Sequence, residues 1–186
     1  MVLPIYAYGQ PVLKKMGKDV EKDYPELNVL IADMWETMYN AHGVGLAAPQ
    51  IGKSLRIFVV DTIQVLDEES DETGIKKVFI NAEMVDETGE EWDYEEGCLS
   101  IPGVRGDVTR QDTIKLKYRN EDFEEIVEEF NGINARVIQH EYDHIDGKIF
   151  TDKLKPIKKR MVQRKLDSIR KGKVDIDYRM KFRNAR

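Results

Sequence analysis

Asn131-Gly132-Ile133-Asn134-Ala135-Arg136-Val137-Ile138-Gln139-His140-Glu141-Tyr142-Asp143-His144-Ile145-Asp146-Gly147 is the stretch that organises this chain. Asn131 can cap a helix, because its side-chain oxygen can accept a backbone N–H left unpaired in the first turn. Gly147 suits the left-handed residue that closes one. Between them Ile133, Val137, His140 and His144 recur at spacings of four, three and four, so the two histidines extend an apolar stripe. Residues four apart share a helix face. Both imidazoles can therefore reach one metal ion set against the core, with Glu141 beside it as a proton acceptor. The whole chain of 186 residues holds only three histidines, and two are here.

Around that helix the composition sets limits. Hydrophobic residues make up 41% and charged residues 34% of the sequence, which suits one folded, well-solvated domain and excludes a disordered chain. The longest apolar runs, such as Leu55 to Val60, are too short to span a bilayer, so no membrane partner is expected. Met1-Val2-Leu3-Pro4-Ile5-Tyr6 lacks the basic and apolar segments of a secretion signal, and the expected location is the cytoplasm. A lone Cys98 can form no internal disulfide, in keeping with a reducing compartment. The net charge of −6 hides a division: Asp152 to Arg186 carries 14 Lys/Arg against 4 Asp/Glu, which leaves −16 on the first 151 residues. A basic tail on an acidic body fits either a polyanionic partner such as nucleic acid or a solvated helix.

Outside the central stretch, Asp23-Tyr24-Pro25 offers a helix start, and Leu27, Leu30, Ile31, Met34 and Met38 keep helical spacing until Gly43. Strands are expected over Leu55 to Val60, Lys77 to Asn81, Ile114 to Tyr118 and Phe123 to Phe130. Turns are expected at Glu87-Thr88-Gly89-Glu90 and at Asn120-Glu121-Asp122, and an exposed acidic loop over Leu66 to Gly74. Pro156 opens a last helix, with Ile157, Met161, Leu166 and Ile169 on one side, that stops at Gly172. Short strands around one metal-bearing helix indicate α+β.

Two histidines make an incomplete site. Downstream of His144 the chain has no His and no Glu, so the later ligand used by zinc endopeptidases of the His-Glu-x-x-His type is missing. Cys98, in Glu96-Gly97-Cys98-Leu99-Ser100, is the alternative, since a thiolate binds zinc or ferrous iron well. A free cysteine is more often a small buried hydrophobe, and the unmet need of the two histidines favours the ligand reading. Gly43-Val44-Gly45-Leu46-Ala47-Ala48-Pro49-Gln50 matches a dinucleotide fingerprint only superficially, because that motif follows a strand and opens a helix. Its Gln50 could instead donate a hydrogen bond to a developing oxyanion. Three protein ligands leave a position for water, the pattern of a catalytic site.

The three segments Gly43–Gln50, Glu96–Ser100 and Gln139–His144, in this order, resemble the peptide deformylase family over roughly residues 1–155. The resemblance implies removal of the N-formyl group from the initiator methionine of nascent polypeptides, with release of formate. It implies an α+β fold in which antiparallel or mixed strands surround the central metal-bearing helix, with a C-terminal helix after it. Carried over by position, Cys98, His140 and His144 are the metal ligands and Glu141 the general acid and base. Gln50 and the backbone N–H of Leu99 form the oxyanion hole, and Gly45 presents its backbone to the substrate. The implied ion is Fe2+ in the cell, with Zn2+ or Ni2+ in purified protein. The implied partners are N-formylmethionyl nascent peptides and the ribosome, met through RNA by the basic helix of a monomer. Residues 1–155 are then the catalytic domain, and 156–186 a basic helix and tail packed on it or extending from it. Val44, Tyr94, Ile133 and Val137 border the ligand segments and are candidates for a methionine pocket. Glu96, Arg105, Asp143 and Arg110 are candidates for ion pairs that hold the loops around the site, with partners the sequence does not choose, and His42 receives no role. The competing readings are a zinc endopeptidase and a non-enzymatic metal- or RNA-binding module.

Overall fold

The computed structural model describes residues 1–66 and 70–183. A five-stranded antiparallel sheet runs β2 (Gly45–Ala47), β3 (Ile57–Asp61), β4 (Lys76–Cys98), β5 (Ile101–Arg119), β6 (Glu125–Asn131) in spatial as in sequence order. Helix α1 (Leu27–Asn40) covers one face and α2 (Gly132–Ile145) the other, while α3 (Pro156–Arg170) packs on β5. β3 shows why both faces are covered. Ile57 and Val59 point into a core built with Leu30, Ile31, Met34 and Met38 of α1. Phe58 and Val60 point the other way, to Phe79, Ile114, Leu116 and the Ala135, Ile138 and Ile145 side of α2. All five residues of β3 are buried. A third core joins Ile101, Val104 and Val108 of β5 to Val162, Leu166 and Ile169 of α3. Two-residue strands β1 (Ile5–Tyr6) and β7 (Met180–Lys181) pair in parallel and bring the chain's two ends together.

Several boundaries differ from the sequence expectation. The turn expected at Glu87–Glu90 is a bulge inside the 23-residue β4: Gly89 takes φ +82, and the register with β5 slips between Thr88 and Glu91. A positive-φ glycine serves a bulge as readily as a turn. The strand expected from Phe123 begins at Glu125, because Phe123 itself sits in the turn with φ +63. Helix α1 starts at Leu27, two residues after Pro25, and its left-handed closing residue is His42 with φ 56, so Gly43 is one position beyond. Part of the expected acidic loop, residues 67–69, lies outside the described residues, as do the last three, 184–186.

The start of α2 is capped from a distance. Asn131 occupies the N-cap position but makes no side-chain cap bond. Glu72, from the acidic loop, accepts the Ile133 N–H at 2.8 Å instead. Asn134 donates to the Thr73 carbonyl at 2.8 Å, tying the same loop to the first turn. At the other end the Lys148 N–H reaches the Asp143 carbonyl at 2.8 Å around Gly147, φ +72. The last helix also turns a different face inward. Val162, Leu166 and Ile169 are buried, whereas Ile157 and Met161 are 76% and 71% exposed, so the stripe expected through those two is not the core face.

Candidate active site

α2 carries His140 to a cleft of about 650 Å³ lined by Gly43, Val44, Gly45, Gln50, Tyr94 and the Glu96–Leu99 segment, among others, while His144 is buried. Ile133 and Val137 face this cleft and are only half-buried, so the stripe through them and His140 borders open space, and the core face of α2 is the one through Ala135 and Ile138. Val44, Tyr94, Ile133 and Val137 thus all line one cavity with His140 and Glu141.

The hairpin turn between β4 and β5 brings Cys98 to the helix. Cys98 pairs with Ile101 across the turn, and its sulfur lies 3.3 Å from His144 Nε2. One donor atom from each of Cys98, His140 and His144 falls within 4.8 Å of the others. Among the described residues no other Cys, His, Asp or Glu completes such a group. A sulfur and two imidazole nitrogens form a donor set suited to zinc or ferrous iron. Buried Glu141 Oε2 has no hydrogen-bond partner among the described residues, as expected for a group arranged around something further.

His140 is oriented by Glu96, whose Oε2 accepts from Nδ1 at 2.9 Å and leaves Nε2 free for an ion. Glu96 also accepts from Arg110 at 2.6 and 3.0 Å and from Arg136 at 3.0 Å. Arg110 donates onward to Asp143 at 2.8 Å. Burial alone would raise the Glu96 carboxyl, but the bonds from His140 and Arg110 outweigh it and hold the group well below the usual carboxylate range. Asp143 with Arg110 is thus a pair, while Arg105 reaches Glu95 at the surface at 2.9 Å and not Glu96. Arg136, whose guanidinium lies 4.5 Å from the Trp92 ring centre, is the partner that sequence reasoning missed. Its position one turn before His140 was the available signal.

Glu141 is 4% exposed, and burial pushes its carboxyl up to about 7, where it can take and release a proton near neutrality. Gly45 is what admits it: a Cβ on Gly45 would lie 2.5 Å from Glu141 Oε1. Gly43 likewise gives room to Leu99, whose Cδ1 would stand 2.7 Å from an added Cβ. Gln50 is buried in a short 3-10 turn, Ala48–Ile51, and its Oε1 accepts the Ala47 N–H at 2.8 Å. That bond aims its Nε2 at Ser100 Oγ, 3.3 Å away, and Cys98 Sγ, 3.5 Å away. β2 is the end strand of the sheet, so beyond Gly45 one edge of backbone is left to the cleft.

The sequence profile of the family described as polypeptide deformylase matches residues 2–160. A peptide deformylase from Christiangramia forsetii is 55% identical over 193 aligned positions that cover 100% of this chain and 98% of the relative. One from Cytophaga hutchinsonii is 56% identical, with 98% of each chain covered. The crystal structure of a peptide deformylase from Legionella pneumophila superposes with a TM-score of 0.79 at 40% identity, covering 90% of this chain and 95% of that one.

Proposed function

The chain belongs to the polypeptide deformylase family, and we propose that Cys98, His140 and His144 hold the single divalent ion on which its activity depends. It is a hydrolase that removes the N-formyl group from nascent polypeptides; the endopeptidase reading is not favoured. The observation that carries the assignment of residues is the approach of one sulfur and two nitrogens to within 4.8 Å, together with the buried Glu141, whose Oε2 has no hydrogen-bond partner among the described residues. A cation held there supplies an acidified water and polarises a carbonyl oxygen.

The remaining chemistry belongs to the chain. Glu141 takes the proton of the attacking water and returns it to the leaving amine nitrogen, so that water and formamide become formate and a free amino terminus. The oxygen of the formyl group, negative once attacked, is met by the Gln50 amide N–H and the Leu99 backbone N–H. An extended substrate adds to the free edge of β2 at Val44 and Gly45, and the methionine side chain lies against Val44, Tyr94, Ile133 and Val137. Fe2+ is the ion proposed for the cell, with Zn2+ or Ni2+ in purified protein; the mixed sulfur and nitrogen donors accept all three. We place the protein in the cytoplasm as a monomer that meets nascent chains at the ribosome; among the described residues, no helix is long and apolar enough to cross a membrane.

Formate release from formyl-Met-Ala-Ser tests this directly. The metal-loaded protein should release formate, chelation should abolish release, and added ion should restore it. Glu141→Gln should keep its metal and lose on the order of 10²–10⁴ in turnover. Absence of release by loaded protein would reject the reading, and cleavage inside an unformylated peptide would revive the endopeptidase.

A further inference from the structure

The family match ends at residue 160, yet the segment after α3 returns to the active site. The chain turns at Gly172 and runs back along the cleft, which Asp175, Ile176, Asp177 and Tyr178 line. It is then anchored by β7, with the Ile5 N–H donating to the Arg179 carbonyl at 2.8 Å and the Ala7 N–H to the Lys181 carbonyl at 3.0 Å. Between turn and anchor, Tyr178 donates its hydroxyl to the Leu99 carbonyl at 2.8 Å. Its ring packs with Leu99 against the α1 core. The next carbonyl of the same turn, that of Ser100, accepts the Tyr8 N–H at 2.8 Å. Both ends of the chain therefore converge on the two residues that link β4 to β5.

We propose that Tyr178 is a positioning residue for deformylation, holding the Leu99–Ser100 turn so that the Leu99 N–H stays aimed at the reacting formyl oxygen. The inference rests on the family reading and on the role given to the Leu99 amide. Its physical basis is that a donor in an oxyanion site must be placed before the charge develops, and a one-ångström displacement is costly. A two-residue turn has little internal means of fixing its own peptide planes. Here the Tyr178 hydroxyl fixes the plane between Leu99 and Ser100, and Tyr8 the plane between Ser100 and Ile101; the Leu99 N–H lies in the plane before, so Tyr178 acts on it across the Leu99 Cα. Tyr178 is half-buried, and burial raises its pKa, so the hydroxyl remains a donor across the working range.

Tyr178→Phe removes the donor and keeps the ring. With fully metal-loaded protein, kcat for formyl-Met-Ala-Ser should fall roughly 3- to 10-fold, the loss of one ordinary hydrogen bond, with KM and bound metal unchanged. Amide hydrogen exchange at Ile101 should quicken in the variant while that of β3 does not. A merely structural role would lower the melting temperature and leave kcat per loaded site at the wild-type value, which would overturn the proposal. A parallel loss of metal and turnover would overturn it as well, by making Tyr178 a support for the ligand Cys98. Failure of the wild-type protein to release formate would strike the family reading instead, and is read in the same assay.

Discussion

Gly45 and Glu141 are 96 positions apart in sequence and touch in the fold, and that meeting sets the strictest local demand on the chain. An added methyl at Gly45 would press on Glu141 Oε1, Cδ and Cγ at 2.5 to 2.8 Å. Glu141 is buried, so the cheapest relief is to swing its carboxylate away from where it is proposed to transfer protons. Gly45→Ala should therefore fold with a loss of about 1–3 kcal/mol, as overpacking usually costs. Turnover should drop on the order of 10²-fold, the penalty for a catalytic group misplaced by about an ångström. Metal content should be unchanged. Formate release beside metal analysis checks this, and wild-type turnover in the variant would show that Glu141 accommodates the methyl without cost. The sequence pointed to Gly45 through a motif but not to its reason. Motif spacing is local, and the steric conflict arises only when β2 and α2 face each other. Cys98 was legible for the opposite reason: two histidines on one helix face lack a third ligand wherever the chain folds.

At the scale of elements, Glu96 is the joint between β4, β5 and α2, accepting from Arg110, Arg136 and His140. The sequence offered Arg105 and Arg110 without choosing, since both lie on β5. Side-chain alternation decides it: Arg110 points inward and is buried, while Arg105 is exposed. The same limit explains α3, where Ile157 and Met161 are spaced four apart, as are Val162 and Leu166, and spacing alone cannot say which pair meets the core. β4 was legible only at its start, because its middle is solvated and acidic and lacks an apolar alternation, although its ladder with β5 continues to Cys98. The depressed pKa of Glu96 carries a sign for stability. Its folded value lies below the unfolded one, so its contribution is complete above about pH 4.5 and is lost as pH falls toward the folded value. Glu96→Gln should lower the stability of metal-free protein at pH 7 by about 3 kcal/mol, the lower range for breaking a buried ion pair. The difference between the two proteins should shrink steadily below pH 4.5. Denaturant titrations across that window test it, and a constant difference would mean that Glu96 does not titrate with unfolding.

The whole molecule divides its charge, with −16 on the first 151 residues and +10 on the rest, and the fold gives that division a shape. α3 spends its Val162, Leu166 and Ile169 face on the third core and turns Lys159, Arg160, Met161, Arg164 and Lys165 to solvent. The parallel pairing of β7 with β1 then returns the chain to its start, a closure that two-residue strands without periodicity could not announce in sequence. Residues 156–183 are accordingly proposed as part of the catalytic unit, and removing them to test ribosome binding would also remove Tyr178 from the cleft. Charge reversal is the cleaner test. Lys159→Glu with Arg160→Glu and Arg164→Glu changes only exposed positions, so kcat/KM on formyl-Met-Ala-Ser should stay at its wild-type value. If α3 docks on ribosomal RNA, affinity for ribosomes should fall steeply, and the slope of log affinity against log salt should flatten by about 0.7–0.9 for each phosphate no longer neutralised. Wild-type affinity in the triple variant, or a wild-type slope with reduced affinity, would assign the basic face to solvation and leave nascent-chain encounter to the cleft alone.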